Sequence, residues 1–191
     1  MKTDANPLKS DVADLLNRIG RATHCLQFVS GLNPAQWDAL RYLARANQYS
    51  RSPTALAEFL GTTKGTVSQT IRSLENKGYV RRDRHRNDGR SVTLEVTPAG
   101  TALLEFDPIR QIEEAAAKLP GEMGAVMVEG LSSLMAELQS RYGTRVFGAC
   151  ERCGHLKDGA SGTNAYRCGL NGDPLTSIDK SQICVNFRAA R

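Results

Sequence analysis

The sequence predicts a mainly α-helical fold with one small β wing and a C-terminal extension of different composition. Three observations carry this reading. Apolar residues recur at helical spacing through most of the first 147 residues, one stretch alternates like a β-hairpin, and composition shifts near residues 143–148. We therefore read residues 1–147 as one domain and residues 148–191 as a cysteine-rich tail.

Residues 8–30 place Leu8, Val12, Leu15, Leu16, Ile19, Ala22, Leu26 and Val29 on one stripe, which predicts a long amphipathic helix. Asn33-Pro34 supplies a cap and a first-turn proline, and Trp37, Leu40 and Leu43 continue a second helix to about Ala46. Ser52 and Pro53 then open a short helix that Gly61 can close in the left-handed conformation. Thr62 or Thr63 restarts a helix through Lys77, with Val67, Ile71 and Leu74 inward and Gly78 as its stop. Two short helices joined across a glycine, with the small Ala57 at their crossing, make a helix-turn-helix.

The second of these helices exposes Lys64, Gly65, Thr66, Ser68, Gln69 and Arg72 behind the capping Thr63. Such side chains bond base edges or phosphates, and a face without bulky apolar groups can enter a major groove. Ser68 and Gln69 are the base-edge candidates. Tyr79-Val80 and Ser91–Val96 read as two strands, joined by an arginine-rich hairpin that turns at Asn87-Asp88-Gly89. This is a basic wing. A narrow minor groove concentrates negative potential, so an arginine at the tip is suited to enter it.

Thr97-Pro98 caps a further helix through Leu103, Leu104, Ile109 and Ile112, with a kink expected at Pro108. Pro120 opens a last helix bearing Met123, Val126, Met127, Leu131, Leu134 and Leu138. The first and last helices carry more apolar surface than the small module can cover, so a second copy of the chain is the expected cover.

Composition limits the function classes. The chain has 191 residues, 40% of them hydrophobic and 24% charged, an ordinary globular balance. No apolar run approaches the roughly 18 residues of a membrane span, and the polar start lacks the apolar core of a signal peptide. No membrane partner and a cytoplasmic location are the expectations. The net charge of +5 is concentrated: residues 64–90 hold eight basic against three acidic side chains, which accounts for all of it. A focused basic segment over a helix-turn-helix is the electrostatic footprint of a protein that faces phosphates.

Over residues 8–142 the chain resembles the MarR family of winged helix-turn-helix regulators. The resemblance rests on LAEFLGTTKGTVSQTIRSLENKGYVRR, on DGRSVTLEVTPAGTALL, and on the closing helix pair. It implies a homodimer, joined through the N- and C-terminal helices, that binds a pseudo-palindromic double-stranded DNA operator with the helix from Thr63 in the major groove. The family's Asp-x-Arg wing pattern falls on Asp88-Gly89-Arg90, which makes Arg90 the minor-groove candidate and Asp88 its orienting partner. Arg82, Arg84 and Arg86 add basic groups beyond that pattern, suited to the DNA backbone. The resemblance also allows a small aromatic ligand.

The tail departs from the family, whose members usually end near the position of Tyr142. Cys150, Cys153, Cys168 and Cys184 stand in the spacing C-x2-C-x14-C-x15-C, within a segment holding six glycines. So few residues cannot bury enough surface to fold alone, and a metal-stapled, otherwise irregular extension is expected. Three readings are open. Cys150-Glu151-Arg152-Cys153-Gly154-His155 looks like half of a zinc ribbon, yet Cys168 and Cys184 stand apart. Four thiolates, two of them isolated in loops, suit a [4Fe–4S] cluster that would sense redox or iron–sulfur status. Disulfides or free thiols are the third. His155 is read as a polar neighbour, since the four cysteines already complete a tetrahedral set. Cys25, in the first helix, is read as a small hydrophobe; Arg21 is the one nearby group that could favour its thiolate, and oxidant sensing through a helix cysteine is known in the resembled family.

An enzyme is not expected. The three histidines are scattered, and no phosphate loop, nucleophile elbow or paired carboxylate motif is present. A four-cysteine site is also coordinatively closed.

Overall fold

The computed structural model describes residues 7–84, 92–143, 145–159 and 166–190. Helices α1 (Pro7–Leu26), α2 (Pro34–Arg45), α3 (Pro53–Leu60) and α4 (Lys64–Asn76) precede a two-stranded antiparallel sheet of β1 (Val80–Arg84) and β2 (Val92–Val96). Helices α5 (Pro98–Leu104), α6 (Arg110–Ala117) and α7 (Met123–Tyr142) follow. The β1–β2 register runs from Val80 opposite Val96 to Arg84 opposite Val92.

Local chemistry sets each boundary of the helix-turn-helix. Asn33 and Gln36 form a reciprocal capping box at α2, with Pro34 in the first turn. The Ser52 hydroxyl accepts from the Ala55 amide at 3.1 Å to start α3. Gly61 closes it at φ +61°, a conformation that favours glycine. Thr63 caps α4 by accepting from the Thr66 amide at 3.1 Å. The core then assembles from one stripe of each helix: Trp37, Leu40 and Leu43, then Leu56, then Val67, Ile71 and Leu74, closed by Val80 and Leu94 of the sheet.

Three expectations are corrected. Helix α1 ends at Leu26 rather than running to residue 30, because Ser30 and Gly31 take positive φ and reverse the chain. The helix after Thr97 does not kink at Pro108 but breaks into α5 and α6. Asp107 causes the break: its buried carboxylate accepts from the Ile109 amide at 3.0 Å and from Arg41 Nη1 at 2.8 Å. Helix α7 starts at Met123, after Gly121 at φ +52°, rather than at Pro120.

No described residue of α1 or α7 is buried. Val12, Leu15 and Ile19 on α1, and Met127, Leu131 and Leu138 on α7, are exposed large hydrophobic side chains at helical spacing. No helix among the described residues is long and apolar enough to cross a membrane.

The tail is more regular than expected. Strand β3 (Gly148–Ala149) pairs antiparallel with β7 (Ile183–Cys184), and β4 (Leu156–Asp158), β5 (Tyr166–Cys168) and β6 (Pro174–Leu175) form a three-stranded sheet. A short helix, α8 (Ser177–Ser181), is capped by Thr176 and Asp179 in a reciprocal box. The tail also docks. Ile183 joins the core of the helical module, Phe147 stacks edge-on against Phe59 of α3 at 5.3 Å, and Arg145 pairs with Glu58 at 2.9 Å.

Candidate nucleic-acid interface and four-cysteine site

Helix α4 has two chemically distinct sides. Val67, Thr70, Ile71 and Leu74 are buried, whereas Thr63, Lys64, Gly65, Thr66, Ser68, Gln69 and Arg72 are all exposed. Every α4 residue selected from sequence therefore faces outward. The hydroxyls of Thr63 and Thr66 lie 3.0 Å apart and belong partly to the cap, which leaves Ser68, Gln69 and Arg72 projecting further along the same helix.

The structure adds two residues that hold this helix. Gln36 of α2 donates to Ser73 Oγ at 2.9 Å and accepts from Lys77 Nζ at 3.0 Å. Lys77 also reaches the Gly31 carbonyl, so this member of the basic segment ties α4 to the α1–α2 turn. Sequence reading had no access to either pairing, because the partners stand far apart along the chain.

The basic wing is partly neutralised at its root. Arg82 Nε lies 3.1 Å from Glu75 on α4, and Arg81 pairs with Glu95 across the sheet. Arg84 ends β1. Arg86, Asp88 and Arg90 lie outside the described residues.

The second site is built from two turns of the tail. Cys150 and Cys153 flank a 3-10 turn closed by the Cys153 amide on the Cys150 carbonyl at 3.0 Å. Cys168 starts a second turn, in which its carbonyl accepts from Gly172 and its amide donates to Asp173, both at 2.8 Å. Cys184 comes from β7, beside Gly148 of β3. A Cβ at Gly148 would stand 2.7 Å from the Phe187 ring, so any larger residue there needs that ring to shift. The four cysteines converge from two turns and β7 on one small cavity of about 20 Å3, lined also by Tyr49 and His155. Leu156 and Leu175 supply an apolar wall.

Within this cavity Cys150 and Cys184 are hydrogen-bonded to each other, which raises the pKa of Cys150 and lowers that of Cys184. Burial raises Cys150 further. Among the described residues, no group of three or more His, Cys, Asp or Glu side chains stands in place as a formed ion site, and all five cysteines are free of disulfides. Cys25 is exposed on α1 rather than packed as a small hydrophobe, beside Arg21 and His24.

The tail cavity abuts the helix-turn-helix. Asn47, in the segment between α2 and α3, points Nδ2 at Cys150 Sγ at 3.9 Å. Tyr49 donates to the Asp173 carboxylate. Sequence reading missed Asn47 and Tyr49 because nothing local marks them: their partners stand more than 100 residues away.

Residues 30–91 match the family model described as MarR family. A 75-residue stretch is 35% identical to the HTH-type transcriptional repressor YetL of Bacillus subtilis (strain 168), covering 39% of this chain and 45% of that protein. The chain thus spans under half the length of this curated relative. The transcriptional regulator BldR from Sulfolobus solfataricus superposes with a TM-score of 0.56 at 22% identity, over 71% of this chain and 99% of that one. Streptococcus pneumoniae FabT, solved in complex with DNA, gives 0.55 at 22% identity, over 72% and 99%. In both overlaps more than a quarter of this chain lies outside. The sequence match runs from the turn before α2 to the residue before β2, and the solved structures match in fold over a longer span. Residues 30–91 are therefore similar in sequence to the MarR family, and the larger span shares the fold of these solved structures.

Proposed function

We propose that the chain is a DNA-binding transcriptional regulator that acts as a homodimer and carries a sensory four-cysteine site. The observation that carries the DNA reading is the outward polar face of α4, placed beside the basic first strand of the wing. Arg72 and Lys64 supply charge to phosphates, while Ser68 and Gln69 reach base edges in a major groove. Arg86, Asp88 and Arg90, read from the sequence as the wing's turn, would enter the adjacent minor groove. The apolar faces of α1 and α7 supply the dimer contact, and two modules so joined address half-sites about 10 bp apart. FabT, which shares this fold and was solved in complex with DNA, supports the reading.

For the tail, the donor chemistry fits a metal group. Four thiols around one cavity with apolar walls are the ligand set that thiophilic metals select. A single zinc ion would draw four sulfurs to about 2.3 Å from one point. Cys168 and Cys184 stand apart rather than as the second C-x2-C pair of a zinc ribbon, which supports reading the group as a [4Fe–4S] cluster held by Cys150, Cys153, Cys168 and Cys184. When bound, such a cluster supplies a group whose charge and integrity respond to oxidants. The protein's part is to hold the four sulfurs on two turns and β7, and to shield them with Leu156 and Leu175.

The test is an anaerobic preparation of the full chain, read by light scattering, metal and sulfide analysis, absorption, and selection of duplexes from a random pool. A dimer with iron, sulfide, a broad visible band and a recurrent pseudo-palindrome is the expected result. A colourless protein with stoichiometric zinc replaces the cluster by a structural metal and returns regulation to a small aromatic ligand. A chain that selects no duplex refutes the regulator reading.

A further inference from the structure

The segment between α2 and α3, residues 46–52, is a strap held on both edges. On one edge the Asn47 amide donates to the Ile183 carbonyl at 2.9 Å, and Ala46 bridges Ile183 in parallel. On the other edge the Leu94 amide of β2 donates to the Arg51 carbonyl at 2.7 Å. The strand that carries Cys184 and the second strand of the wing therefore share one piece of backbone.

Buried polar groups join this strap to the sulfurs. Asn47 is 2% exposed, and its side-chain amide donates to Cys150 Sγ at 3.9 Å while its backbone holds Ile183, the neighbour of Cys184. Ser50, fully buried, donates to Asn47 Oδ1 at 2.7 Å and accepts from the Val185 amide at 2.8 Å. The Ser50 carbonyl accepts from the Tyr42 hydroxyl at 2.9 Å, and the Tyr42 ring lies 4.4 Å from Phe59 of α3. The path from thiol to helix-turn-helix is continuous, and Asn47, Ser50 and Tyr42 along it are buried.

We propose that Asn47 is the positioning residue through which occupancy of the four-thiolate site sets the strap, and through it α3 and the wing. This rests on the reading that the four cysteines hold a metal group. Held there, a metal group would tie Cys153 and Cys168 to Cys150 and Cys184, and so would fix Cys150, the sulfur that Asn47 reaches. Without it the two tail turns are joined only by the short β4–β5 pairing and a small apolar cluster around Leu175, and the strap loses a rigid edge. Outer partners that orient ligating sulfurs belong to the site as much as the ligands do. The route runs directly into the DNA-reading module and does not require the dimer helices.

The experiment is hydrogen exchange on the full chain, compared between protein reconstituted with ferrous iron and sulfide, or with zinc, and protein stripped by a chelator. Metal content is measured on the same samples. Stripping should speed exchange at residues 46–52 and 55–60 by about 5- to 150-fold, the span of ordinary allosteric coupling, while α7 is unchanged. Asn47→Ala should retain metal, yet its loaded strap should exchange like the stripped wild type. Ser50→Ala is the milder variant, and carries the test if Asn47→Ala does not fold. A strap that ignores stripping while residues 148–190 lose protection overturns the inference, as does a loaded Asn47→Ala strap as protected as wild type. Those outcomes leave the metal reading intact. A chain that binds neither iron nor zinc removes the metal reading and the inference together.

Discussion

Arg82 on the first wing strand and Glu75 on α4 form an ion pair at 3.1 Å, which fixes the wing's root to the far end of the groove-facing helix. Both side chains are about one-third exposed, so the pair adds less than about 1 kcal/mol to stability. Its effect is on geometry and on charge available to DNA. Arg82→Ala should weaken selected and random duplexes alike and lower the salt slope by about one unit. Glu75→Gln should release the guanidinium and strengthen binding to random duplex. Salt titrations of both variants check this. A larger loss on the selected duplex than on random DNA in Arg82→Ala would place Arg82 in sequence readout.

Gln69 lies on the exposed side of α4, away from the core and the cap. Gln69→Ala should cost about 1–3 kcal/mol of discrimination at one base pair, with little change on random duplex. Competition between single-base variants of the selected site measures it. Arg90→Ala should instead relax preference for A·T-rich flanks.

Gly100 sits in the first turn of α5 beneath the β1 entry, where a Cβ would stand 2.3 Å from the Tyr79 carbonyl oxygen. Backbone cannot yield as a flexible side chain does. Gly100→Ala should destabilise the module by about 1–3 kcal/mol. Thermal unfolding would show it as a Tm lower by roughly 2–4 °C per kcal/mol. An unchanged Tm would mean that α5 shifts freely against the wing.

The helix-turn-helix was legible in the sequence because its signals are local. Ser52, Gly61, Thr63 and Gly78 each act within a few residues, and the apolar stripe of α4 is read directly from spacing. The break at Pro108 was missed because its cause is tertiary: Arg41 stabilises the buried Asp107 carboxylate that ends the turn. The tail was legible as a cysteine spacing but not as a fold. Strands of two or three residues carry no periodicity, and their pairing depends on partners across the sheet. That the tail seats on the α2–α3 strap was beyond pattern reading, since Asn47, Ser50 and Ile183 look unremarkable alone.

The central claim is that a four-cysteine site regulates DNA binding, and one titration tests it most directly. A single selected duplex is titrated with loaded protein, with stripped protein and with Cys168→Ser, the metal content of each being known. The account predicts that the loaded dimer differs from the other two by about 5- to 150-fold, with the loaded form binding tighter. Three affinities within a factor of about two, with metal present only in the first sample, fall below ordinary coupling and would contradict it.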